Sequence, residues 1–82
     1  MIITTYRCKS LEHKNTFWVL TEAISVQEGK KVVIHEYVEG IMGWASQFTT
    51  LDRAFAFWDC LERNEFDPKF ALKTFKSENA PD

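Results

Sequence analysis

The chain has 82 residues, 45% of them apolar and 27% charged, which leaves room for one folded domain and speaks against a disordered segment. A domain this short buries only about 60–65% of the surface its unfolded form exposes, so its core is small. Ten Lys and Arg stand against twelve Asp and Glu, a net charge of −2 that argues against broad binding to phosphate backbones.

Taken in order, residues 2–8 alternate weakly and open on β-branched side chains, which predicts a first strand. Residues 9–15 (KSLEHKN) read as a polar connection. Residues 16–24 (TFWVLTEAI) are the strongest strand signal, with Phe17, Val19 and Ala23 on one side and Trp18, Leu20 and Ile24 on the other. A turn over residues 25–30, helped by Gly29, leads to a strand over residues 31–39. Here Val32, Ile34 and Val38 face one way, and Val33, His35 and Tyr37 the other. Both strands are apolar on both faces, as buried central strands are. Gly40 and Gly43 punctuate the chain before an edge strand over residues 42–48.

Thr49-Thr50-Leu51-Asp52 then reads as a capping box, with Thr49 as N-cap, opening a helix over residues 51–63. Leu51, Ala54, Phe55, Trp58 and Leu61 form its buried stripe, with Phe57 on the flank and Arg53, Ala56, Cys60 and Arg63 on the far side. Asp67-Pro68 begins a second, shorter helix, Asp67 as N-cap and Pro68 where its missing amide costs nothing. A final strand is the other reading of that segment. The expected fold is thus α+β: an antiparallel meander of three to four strands with one main helix on one face and a short C-terminal helix (or strand). The domain spans residues 1–76, and residues 77–82 (SENAPD) are a frayed tail.

The chemistry-bearing residues are few. Cys8, His13, His35 and Cys60 match no zinc spacing, which normally includes a close pair, so neither a metal nor another cofactor is expected. Cys8, at a strand end, reads as a small core residue, and Cys60 as an exposed or partner-facing thiol. No GxSxG, HExxH or glycine-rich phosphate loop is present, which leaves an enzyme with a non-local active site as the third choice. The opening MIITTYRCK lacks the apolar stretch of a signal peptide, and no run approaches the ~20 apolar residues of a membrane span. The expectation is a cytoplasmic setting, no membrane contact and both thiols free.

Asp59, Glu62, Glu65 and Asp67 gather near the end of the first helix, where negative charge opposes the helix dipole. Glu62 and Glu65 are therefore candidates for docking a basic partner, although a solvated helix end explains them as well. If residues 68–76 are helical, Lys69, Lys73 and Lys76 form one stripe beside Phe70 and Phe75, the basis of a nucleic-acid-binding alternative. The order of strands followed by a helix, with NTFWVL early and FTTLDRAFAFW late, resembles WGR-type nucleic-acid-binding domains. That family's tryptophan-glycine-arginine signature is absent, and no residue role follows from the likeness.

A single helix covers only one face of the sheet, so the other face must be finished by a second copy or a partner. The expected function is a small, non-enzymatic protein-binding module (an adaptor, inhibitor or regulatory subunit) acting stoichiometrically as a homodimer. Phe17 and Val19 are its expected sheet-face contacts, and Met42, Trp44 and Phe57, with Glu62 and Glu65, its partner-binding residues. Trp44, after Gly40-Ile41-Met42-Gly43, is equally consistent with a place under the first helix.

Overall fold

The computed structural model describes residues 1–79, which form an α+β domain of four antiparallel strands and two helices. The strands are β1 (Ile2–Leu11), β2 (Thr16–Ser25), β3 (Gly29–Val38) and β4 (Ile41–Phe48), followed by α1 (Leu51–Arg63) and α2 (Pro68–Asn79). Sheet order follows chain order, β1-β2-β3-β4, so the sheet is an open meander with β1 and β4 as its edges. α2 runs through Ser77–Asn79, part of the segment read as a tail; the rest of that segment lies outside the described residues.

Local chemistry explains most element boundaries. β1 runs three residues past Cys8, because Lys9 and Ser10 on an edge strand keep their side chains in solvent while the backbone pairs with Trp18 and Phe17. The β3–β4 hairpin turns on two residues, Glu39 at φ 53° and Gly40 at φ 83°. Both angles are positive, as the tight turn matching the sheet's twist requires. Gly43 is the extra residue of a bulge in β4, and a Cβ there would come within 2.9 Å of Glu36 Oε1.

α1 is capped by Thr50, whose Oγ1 accepts from the Arg53 amide at 3.2 Å, and not by Thr49. Thr50 has the extended backbone of an N-cap (φ −140°, ψ 160°), so the cap lies one residue later than the capping-box pattern implied, while the helix spans residues 51–63 as expected. Asp67 caps α2 as expected, accepting from the Lys69 and Phe70 amides at 3.0 and 3.3 Å.

Both helices lie on one side of the sheet. α1 rests on β2, β3 and β4, and α2 packs along α1. Trp18, Leu20, Val32 and Ile34 from the strands meet Ala54, Phe57, Trp58, Cys60 and Leu61 from α1, and all are buried. Aromatic rings run through this layer in contact: Trp58 with Phe66, Phe66 with Trp18, Trp18 with Trp44, and Trp44 stacked on Phe57 at 5.6 Å and 8°. Each such pair adds about 0.5–1.5 kcal/mol beyond the area it buries.

Cys60 is buried, contrary to the expected outward thiol, because α2 lies along that side of α1 and brings Ala71 and Phe75 into the core. Cys8 is exposed rather than in the core. The cause is a bulge at Tyr6, between the pairs Thr5–Thr21 and Arg7–Leu20. It turns both Tyr6 and Arg7 toward α1, where each meets Phe55, and so sends Cys8 to the opposite face.

Candidate protein-binding surfaces

The first surface is the face of the sheet opposite the helices. Strand pairing places four rows across it: Ile3, Ala23 and Lys31; Thr5, Thr21, Val33 and Gln47; Cys8, Val19, His35 and Ala45; Ser10, Phe17, Tyr37 and Met42. No carboxylate stands in these rows. The one formal charge is Lys31 at a corner, held by Glu28 at 3.2 Å. Phe17 is 41% exposed, Met42 51% and Ile3 63%, while Val19, Val33, His35 and Tyr37 are half-buried by their neighbours alone. The His35 ring lies 3.3 Å from the Tyr37 hydroxyl, and burial pushes its pKa below the usual histidine value.

The structure therefore brings the expected dimer contacts, Phe17 and Val19, together with Met42 on one surface. Trp44 and Phe57 fall elsewhere. Phe57 is 1% exposed and stacks under Trp44, which corrects its assignment to a partner surface: the flank of α1 faces the sheet and α2 rather than solvent. Trp44 is half-buried between Trp18 and Phe57, with one edge open to a groove beside β4. Aromatic residues also favour one face more than their alternation implied. Among the described residues, only Phe17 and Tyr37 of the aromatics occupy the open face, and Phe70 on α2 is exposed.

That groove, about 460 Å³, is the second surface. It runs along Trp44–Phe48 of β4 and is walled by Arg53 and Phe57 of α1 and by Leu72 and Phe75 of α2. The Arg53 guanidinium lies over the Phe75 ring, 5.2 Å from its centre. Because α2 is helical, Lys69 and Lys76 fall on the same side of it as Leu72, three residues before and four after. Lys73 lies over the exposed Phe70 ring at 5.7 Å.

A third recess, about 410 Å³, lies where the end of β1 meets the end of α1, lined by Lys9, Leu11, His13, Glu62, Glu65 and Phe66. Glu62 is 3.8 Å from Arg7, and the Glu65 carbonyl accepts from Lys14 Nζ at 3.1 Å. Arg7 thus stands against the Glu62 carboxylate, Lys14 reaches the Glu65 backbone rather than its carboxylate, and Asp67 is spent on its cap. Phe66 was not picked out by any sequence pattern. It sits at φ 57°, past the helix end, and its amide donates to the Leu61 carbonyl at 2.6 Å, turning the ring in between Trp18 and Trp58.

Among the described residues, no three His, Cys, Asp or Glu side chains are grouped so as to hold a metal ion, and no helix is long and apolar enough to cross a membrane. The Cys60 thiol is raised by burial above its usual value, and the Arg63 guanidinium donates to it at 3.3 Å. No family model, curated protein or solved structure matches the chain.

Proposed function

We propose that the chain is a small, non-enzymatic protein-binding module that acts stoichiometrically and works as a homodimer joined through the open face of its sheet. The observation that supports this is the composition of that face. It is apolar and hydroxylic, has no carboxylate, and exposes Phe17, Met42 and Ile3 to water.

Four strands about 4.8 Å apart and about 30 Å long present roughly 600 Å² in projection. The corrugated accessible area is larger, and so approaches the about 800 Å² per partner of a stable interface. A face whose one formal charge is Lys31, at a corner and paired with Glu28, meets its own copy with little repulsion, and two such sheets pack face to face about 10 Å apart. The two cysteines, both free and on different sides of the sheet, suit a reducing, cytoplasmic setting.

Sedimentation at micromolar concentration tests the assembly. The expected species has twice the 9.6 kDa of one chain, and Val19→Lys, which places a charge at the centre of the face, returns it to a monomer. A wild-type chain that stays monomeric at high concentration overturns the reading.

A further inference from the structure

The two sheet edges are not alike. The β1 edge is broken by the bulge at Tyr6 and carries Arg7 and Lys9, both devices that discourage strand pairing. β4, IMGWASQF, has no charge and no proline, and past its bulge at Gly43 the stretch Trp44–Phe48 pairs regularly with β3. Its outer edge is a row of backbone donors and acceptors that no other strand of the described residues takes up. Such an edge is a template for another strand.

Beside that edge lies the groove walled by Arg53, Phe57, Leu72 and Phe75. A strand added to β4 would send every second side chain toward the helices, into the apolar space over Trp44 and Phe48. The rim is basic: Arg53 has no carboxylate partner among the described residues, and Lys69 and Lys76 flank Leu72. No carboxylate lines the groove.

We infer that the β4 edge and its groove bind an extended acidic segment of another protein, one whose helix-facing side chains are apolar over the groove and carboxylate on either side of it, and which joins the sheet as a fifth strand. Backbone pairing supplies the binding geometry, the groove takes the apolar residues, and the basic rim selects acidic neighbours. A second copy is disfavoured at this site, because two-fold pairing of β4 with β4 would bring both basic rims together. The inference rests on the binding-module reading and supplies its partner class, but it does not need the dimer.

The test titrates the full chain, labelled with nitrogen-15, with a short peptide of sequence Glu-Thr-Val-Thr-Glu, which puts its valine and both glutamates on one face, and with its lysine counterpart. The glutamate peptide should bind at least ~10-fold more tightly, shift the amides of residues 44–48 and slow their hydrogen exchange. Arg53→Glu and Leu72→Glu should each lose at least ~10-fold in affinity with an unchanged melting temperature; Leu72 is exposed enough to accept the charge. Equal binding of the two peptides, no binding, or shifts confined to other residues overturns the inference. So does tighter binding of oligothymidylate to the same residues, which makes the groove a nucleic-acid site. Changes at residues 44–48 that follow protein concentration without peptide put a second copy there and also overturn it. The variant Val19→Lys keeps the two readings separate. It should bind the peptide as wild type does, whereas a dimer indifferent to the peptide sinks the groove alone.

Discussion

His35 is the residue whose environment carries most consequence. It stands in the middle of the open face, between Val19 and Ala45, and burial holds its pKa below the ordinary histidine value. The unfolded chain therefore binds a proton that the folded chain resists, so this contribution to stability is complete above the unfolded value of about 6.5 and declines as pH falls through it. Pairing two faces buries the ring further and strengthens the effect. The interval that matters lies between roughly pH 5.5 and pH 7, around the ordinary histidine value, and Cys8, Tyr37 and Lys31 are the other titratable groups on the face. The proposed dimer should therefore weaken on acidification over that interval, measured by sedimentation, and His35→Gln should remove the dependence. A dimer equally tight at both ends of the interval contradicts this placement of His35.

At the scale of elements, the two helices and the last strand make separable predictions. Thr50→Ala should cost about 1 kcal/mol in denaturant unfolding, because the Arg53 amide loses its acceptor, whereas Thr49→Ala should cost almost nothing. The reverse order would restore Thr49 as the cap. Trp44 ties β4 to α1 through its stacking on Phe57 and its contact with Trp18. Trp44→Ala should lower stability by about 2–4 kcal/mol, as truncation of a packed aromatic does, while leaving the affinity of the remaining folded dimer close to wild type. Melting and sedimentation on the one variant decide this. An unchanged melting temperature would show that the ring contributes little to the core.

The whole molecule is a thin slab, 39 × 35 × 17 Å, with helices on one side and bare sheet on the other. Water on the bare side leaves apolar area exposed at about 25 cal/mol per Å², and the proposed second copy would remove that cost without changing the core. Cys8 reports on this directly, since it is exposed on the bare face while Cys60 is fully buried beneath α2. A thiol reagent should modify Cys8 alone in the native protein, and more slowly as protein concentration rises. Cys60 should react only on unfolding. A Cys8 rate that ignores concentration speaks against the open face as the joining surface.

Alternation and helical spacing are local properties, so they carried the strands, α1, the N-cap of α2 and the apolar character of both faces of β2 and β3. They could not say which face the helices would cover. Trp18 and Leu20 lie inside and Phe17 and Val19 outside because α1 crosses β2, β3 and β4 on one side, a choice made by packing. The errors share that origin. A single extra residue at Tyr6 inverts every later side chain of β1 and moves Cys8 to the surface, since strand faces alternate with period two. Cys60 and Phe57 were assigned by treating α1 as a helix with one partner, whereas α2 supplies a second and widens the buried stripe. The groove beside β4 is assembled from three elements distant in sequence, and Phe66 enters the core through a left-handed backbone no composition signals. Residue pattern determined the elements and their two-sided apolarity; only tertiary packing decided which side remained open, because that depends on where the helices lie and not on any one segment's periodicity.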